Sequence, residues 1–176
     1  MNWEEFKLKS EQKFNKLKLE SVWGFQIQAG TRWNPGLQKR QIDELEKQFG
    51  FTFPLDYRQM LEVINGVDKE QIAINPEDHT EYEYQRRIYR YPEDFELTAH
   101  LRNEIEMNME FVFEALHLSG FETSDVMGIV PLYEHRALVV FGDKNLSPVI
   151  SIHQGDDVIV YGNSLMEYWG KELRMF

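Results

Sequence analysis

Residues 33–66 read WNPGLQKRQIDELEKQFGFTFPLDYRQMLEVING, and each part of that string has a physical job. After a turn at Asn34-Pro35-Gly36, the residues Leu37, Ile42, Leu45 and Phe49 fall on one side of a helix. Gly50 follows where a left-handed C-terminal cap is wanted. Pro54 suits the first position of a second helix, because the N–H it lacks would have no intrahelical partner there. Tyr57, Met60, Leu61 and Ile64 then recur at i, i+3, i+4 and i+7, one apolar stripe. Asn65-Gly66 ends that helix, Gly66 supplying positive φ at low cost. Two short helices joined by a tight elbow are the expected result, both apolar inward.

Working outward, residues 3–20 read as a helix carrying Trp3, Phe6, Phe14 and Leu17 among lysines and glutamates. Residues 22–33 read as an irregular or short extended lead-in. Beyond the elbow, Gln71–Asn75 and Arg87–Tyr91 are short β-like segments on either side of a polar loop, Pro76 to Glu83. Leu97, Leu101, Ile105, Met109 and Leu116 give the stretch from about Asp94 to Leu118 the repeat of one long central helix. The period changes from Met127 onward. Ala137-Leu138-Val139-Val140-Phe141 is a continuous apolar run, suited to a strand covered on both faces. Val149–Ile152 and Val158–Tyr161 are rich in β-branched residues, and the turn clusters Gly142–Asn145 and Gln154–Asp157 separate the runs at hairpin spacing. A final helix from Ser164 to about Arg174 can be capped by Asn163 or Ser164. The order predicts an α+β domain: an antiparallel β-meander packed by N-terminal helices, a central helix and a C-terminal helix.

The composition fits one domain with a sizeable core: 176 residues, 42% apolar, with 12 Phe and 8 Tyr. No apolar run approaches the ~18–20 residues of a membrane span. The first residues lack the basic and apolar regions of a signal peptide. The absence of cysteine excludes disulfides, thiol nucleophiles and zinc–thiolate sites. A reducing cytoplasm is the expected location. Net charge is -11, and residues 71–125 hold four Arg against 13 acids, -9 of it. Such a field repels phosphate backbones, which argues against direct nucleic-acid binding, and attracts a basic partner.

Motifs for chemistry are few. There is no G-x-S-x-G, P-loop, H-E-x-x-H or G-x-G-x-x-G. Glu114 and His117 form a single E-x-x-H, whereas a carboxylate-bridged di-iron bundle needs two such motifs and two further glutamates. Asp143-Lys144-Asn145 lacks the glycine and distal glutamate of a calcium loop and reads as a turn. No cofactor or metal is expected. His135-Arg136 heads the strongest strand: either it contacts a ligand, or Arg136 pairs with a carboxylate such as Glu46 while His135 satisfies a turn carbonyl. Glu46, beside Leu45 at the edge of the stripe, reads as a partly buried, paired structural carboxylate. Trp33 and Tyr57 read as core or rim packing ahead of an aromatic ligand platform, and Asp56 as a complement to a helix dipole. Tyr82, Tyr84, Tyr89 and Tyr91 are interleaved with Glu77, Asp78, Glu81, Glu83 and Arg86, Arg87 and Arg90. Aromatics among charges suit an interface centre; alternatively the tyrosines pack back onto a sheet.

The string from Trp33 to Gly66 resembles the opening of the SMI1/KNR4 (SUKH) superfamily: a W-x-x-G-like start, I-x-x-L-E, a glycine, an L/F-P-x-D/E-Y elbow and a closing N-G. Gly128–Leu132, His135–Phe141, Pro148–His153 and Asp157–Gly162 resemble its four core strands, and Ser164–Trp169 its closing helix. Gln38 departs from the Ser, Thr or Asp cap common there. The resemblance implies structural roles for Trp33, Gly36, Leu37, Ile42, Leu45, Glu46, Pro54, Tyr57, Asn65, Gly66, His135 and Arg136. It leaves residues 71–125 unmatched, an acidic insertion within one domain spanning 1–176. Members are widely cytoplasmic immunity proteins that neutralise bacterial toxins; others are regulatory scaffolds. A non-catalytic protein-binding role follows from that resemblance. Its partner would be a basic, nuclease-type toxin held at Glu77, Asp78, Glu81, Tyr82, Glu83 and Tyr84. A scaffold without a toxin partner is the alternative, and an enzyme or sensor using a pocket near His135 ranks last because the titratable residues are scattered.

Overall fold

The last fifty residues form the frame. A computed structural model describes residues 1–154 and 156–175, with the side chain of Tyr82 outside the description. Strands β6 (Val126–Tyr133), β7 (Arg136–Phe141), β8 (Val149–His153) and β9 (Asp157–Gly162) pair antiparallel in the order β6-β7-β8-β9, the expected meander. From Ala137 to Phe141 every residue of β7 is buried. Leu138 and Val140 point to one apolar cluster, Ala137, Val139 and Phe141 to another. The sheet is therefore covered on both faces, as the unbroken apolar run requires.

The first cover is built from both ends of the chain. It comprises α1 (Trp3–Phe14), α2 (Lys39–Phe49), α3 (Leu55–Val63) and α6 (Leu165–Glu172). Asn2 caps α1, its Oδ1 accepting the Glu5 N–H at 2.9 Å, and Ser164 caps α6 through the Glu167 N–H. The second cover is α4 (Ala99–Met107) and α5 (Met109–Leu118), whose Ile105, Val112 and Leu116 meet Ile129, Ile150 and Ile152 of the sheet. Each fully buried aliphatic side chain of this kind contributes about 1.5–3 kcal/mol.

Two small sheets complete the fold. In one, β2 (Trp33–Pro35) pairs with β3 (Ile64–Val67); in the other, β4 (Gln71–Ile74) lies between β1 (Phe25–Gln26) and β5 (Glu81–Gln85).

The elbow forms with changes at its edges. Gly50 caps α2 with φ 86, and Ile42, Leu45, Tyr57, Met60 and Leu61 are buried. Gln38 is followed by Gln41, whose side chain accepts the Gln38 N–H at 2.8 Å. Pro54 stands before α3 in extended backbone (ψ 150) and acts as the N-cap residue, one place earlier than expected. Asn34-Pro35 is strand, not turn, and Ile64 to Gly66 is strand, not helix end. The reason is their mutual pairing, with Pro35 opposite Ile64 and Trp33 opposite Val67. Leu37 is half-buried ahead of α2, its N–H donating to Leu61 O at 2.6 Å. Gly36 sits so close to α3 that a Cβ would lie 2.1 Å from Glu62 O, and at Gly66, with φ 67, it would lie 2.7 Å from the Arg90 Cβ.

Other boundaries moved too. The first helix stops at Phe14, short of residue 20. The expected long helix is two, broken at Asn108 (φ -117), whose side-chain amide donates to Glu104 O at 2.8 Å. The 76–83 loop and the 87–91 strand trade places. Glu81–Gln85 is the strand, whereas from Arg87 to Tyr91 the backbone finds partners outside a ladder. The Gln71 Oε1 accepts the Arg87 and Ile88 N–H groups at 2.7 and 2.9 Å, and Leu132 O accepts that of Tyr89 at 3.0 Å. Asn65 brackets Tyr91, accepting its N–H at 3.0 Å and donating to its carbonyl at 2.5 Å.

Glu46 is buried beneath the elbow. One oxygen accepts the Phe53 N–H at 2.7 Å, and the other pairs with Arg58 at 2.6 Å. Glu46→Ala leaves that buried N–H without a partner and is expected to cost about 2 kcal/mol in urea unfolding. Gly36→Ala is expected to cost about 3 kcal/mol, since the opposing atoms are helix backbone. Unchanged midpoints in either variant would refute these roles.

Candidate functional site

The acidic segment folds as a loop and an edge strand. Residues 75–80 are closed by Asn75 and Thr80, the Asn75 N–H donating to Thr80 O at 2.8 Å. Asp78 Oδ1 accepts the Thr80 N–H at 3.0 Å and its hydroxyl at 2.7 Å, and this hydroxyl bond holds the Asp78 carboxyl below its usual range. Glu77 and Asp78 are exposed at this turn, with Glu81 exposed and Glu83 half-exposed on β5. Tyr84 is 48% exposed, and its hydroxyl donates to Glu81, which raises the phenol above its ordinary value. Tyr82 belongs to the same set, but its side chain lies outside the described residues. Within its sheet β5 pairs on one side alone, with the buried strand β4. Its other edge pairs with no strand among the described residues and lies beside the carboxylates.

The tyrosines divide. Tyr91 is buried, its hydroxyl donating to Pro131 O at 2.8 Å, and the half-buried Tyr89 donates to Glu134 O at 3.1 Å. Both pack back onto the frame, so Tyr84 is the one whose described side chain faces solvent.

A second constellation lies at the β6–β7 hairpin. Arg136 reaches Glu172 of α6 at 3.5 Å and stacks 4.9 Å from the Tyr161 ring; Glu46, paired with Arg58, is not its partner. The His135 ring faces His153 across the strands at 5.9 Å and accepts from the Arg136 guanidinium, and it meets no turn carbonyl among the described residues. Burial first, then the charges of Arg136, His153 and Arg87, push His135 down to about 4. Burial pushes the carboxyls of Glu134 and Glu172 up. The cluster fixes α6 to the hairpin and lacks a nucleophile paired with a base. Trp33 and Tyr57 lie in the core, 4% and 1% exposed, and Asp56 accepts the Trp3 indole N–H at 2.8 Å in addition to its place in the first turn of α3.

Metal-ligating geometry is lacking among the described residues: no group of three or more His, Cys, Asp or Glu side chains converges. His117 of the E-x-x-H is exposed and bonds Thr123 Oγ1 at 3.0 Å. No helix among the described residues is long and apolar enough to cross a membrane.

With elbow, meander and closing helix in this order, the SMI1 / KNR4 family (SUKH-1) matches residues 36–169 of the chain. The chain belongs to that family. No curated protein matches it, and no solved structure does. Within this SUKH-1 chain the ends of the matched span, 36 and 169, lie on either side of α4 and α5. Trp33 lies just outside the span, yet packs edge-on against Trp169 at its far end, ring centres 5.5 Å apart at 89°.

Sequence reading missed Arg87, named there only as one charge among several tyrosines. Which carboxylates lie near it depends on the fold, and no local signal carries that.

The depressed His135 predicts a pH dependence. The unfolded chain takes up this proton near 6.5 and the folded protein near 4, so stability falls as pH drops through that window. Glu134 and Glu172, raised by burial, pull the other way. The readout is therefore the melting temperature of wild type against His135→Gln between pH 7 and 4. The loss on acidification is expected to be smaller in the variant, and parallel curves would refute the assignment.

Proposed function

We propose that this SUKH-1 protein is a non-catalytic binding domain that captures a basic protein, acting as an immunity protein that occludes a cognate nuclease-type toxin. The observation that carries the reading is β5. An open strand edge, flanked by Glu77, Asp78, Glu81 and Glu83 and bearing the exposed Tyr84, lies within a 55-residue stretch of charge -9. Long-range attraction raises the association rate of a basic partner. A strand of that partner can add to β5 through main-chain hydrogen bonds, with the aromatic side chain supplying apolar contact. Neutralisation then needs steric cover of the toxin's active site and no chemistry from this chain. Family membership supports a binding role of this kind, and location in the cytoplasm goes with it.

The test is co-purification from native extract at low and high salt, followed by binding kinetics with the basic toxin recovered. Replacing Glu77, Asp78, Glu81 and Glu83 by their amides is expected to slow association by about tenfold or more and to flatten its salt dependence. Unchanged kinetics and unchanged protection of cells would reject β5 as the interface. A neutral partner insensitive to salt would reject toxin capture in favour of a scaffold role.

A further inference from the structure

Arg87 departs from most of the chain's arginines. The chain has 30 acidic residues against 19 basic ones, so a half-buried arginine has acids in excess to choose from. Six of its eight fellow arginines do so: Arg32 pairs with Glu11, Arg40 with Glu44, Arg58 with Asp43 and Glu46, Arg86 with Asp94, Arg90 with Glu93 and Arg136 with Glu172. Arg102 donates instead to Phe95 O. Among the described residues, Arg87 has no carboxylate within 4.0 Å, and its guanidinium makes no hydrogen bond, its Nε being buried without a partner. The group is nevertheless held in place, its Cζ lying 4.2 Å from the centre of the Phe25 ring.

This guanidinium lies in a cleft of about 480 Å³ between the start of α4 and the β6–β7 hairpin. Phe25, Tyr89, Leu97 and Leu101 supply apolar walls, with Glu104 and Glu134 at the polar side. Glu134 is placed with care: it adopts φ 48, unusual for a residue with a side chain, its N–H donating to Arg87 O at 2.9 Å. The volume lies within the range of small-ligand sites. The charge of Arg87 pulls the Glu134 carboxyl down against burial, and a stacked guanidinium that makes no hydrogen bond among the described residues is still a prepared fork for a planar two-oxygen anion. The two glutamates disfavour a dianion such as phosphate, and the apolar walls favour a hydrocarbon chain or ring behind the acid.

We infer that the cleft around Arg87 binds a carboxylate, carried on an aliphatic or aromatic body. The site goes beyond capture of a basic partner and stands apart from β5, so that either can fail without the other. The carboxylate is supplied by a free small organic acid or by a peptide C-terminus, and the test separates the two.

Amide and arginine Nε–Hε resonances are followed while 4-phenylbutyrate, its neutral analogue 4-phenylbutan-1-ol, inorganic phosphate, and N-acetyl-glycyl-phenylalanine as acid and as amide are titrated in turn. Saturable shifts with phenylbutyrate at Arg87 Nε, Gly24 and Leu101 are expected. They should be about tenfold weaker in Arg87→Lys and lost in Arg87→Gln, with the remaining spectrum native. Binding by the peptide acid alone supports the site and assigns the carboxylate to a polypeptide end. No saturable shift from either acid, equal binding by the alcohol, tighter binding by phosphate, or retention in Arg87→Gln would overturn it. If Arg87→Gln loses its native spectrum, the Arg87→Lys titration decides: undiminished affinity there overturns the proposal, and weakened affinity upholds it.

Discussion

Everything else in this fold answers to the apolarity of β7 on both faces. A strand reading Ala-Leu-Val-Val-Phe cannot leave either side of its sheet in water, so the chain must supply two covers. The elbow helices with α1 and α6 make one, and α4 with α5 make the other. The acid-rich stretch 71–125 is thereby part of the architecture. Val112, Ala115 and Leu116 bury against the sheet, while Glu106, Glu110 and Glu114 remain on the exposed side of the same layer. Much of the negative charge is the outer face of a required lid, and β5 is where it lies beside an open backbone edge.

Between these layers, a few polar side chains do the fixing. Glu46 with Arg58 holds the elbow, Asn65 brackets Tyr91, and the Gln71 carboxamide accepts two successive backbone N–H groups. Each satisfies buried groups that would otherwise weaken the fold. Together they set the path from Arg86 to Tyr91, and with it the direction in which Arg87 faces. The β6–β7 hairpin is tied to α6 by charge, through the ion pair of Arg136 and Glu172.

How much of this could be read from the residues follows from how local each signal is. The meander strands were legible because β-branched runs alternate with Gly, Asp and Asn turns, and the elbow because Gly50 and Pro54 punctuate a helical period. The pairing of β2 with β3 was hidden. Ile64 continues the stripe of Tyr57, Met60 and Leu61 in perfect phase, and only a strand some thirty residues away tells it to leave the helix. Asn108 breaks a repeat that the apolar residues carry straight across. Tyr89 and Tyr91 lie in a polar neighbourhood of sequence yet turn inward, since their partners, Glu134 O and Pro131 O, come from the distant hairpin. For the functional surface, charge was legible, and the strand that displays it was not.

The edge-on contact of Trp33 with Trp169 has a consequence in time. Trp33 belongs to the opening of the fold and Trp169 to its last helix, and Lys13 adds bonds of 2.6 Å to the carbonyls of Leu173 and Arg174. That cover of the sheet therefore lacks one of its four helices until α6 docks. Until then the layer of Trp3, Phe6, Phe14 and Trp33 lacks the Trp169 ring and is incompletely covered. The layer is thus exposed to aggregation for as long as α6 has yet to dock on it.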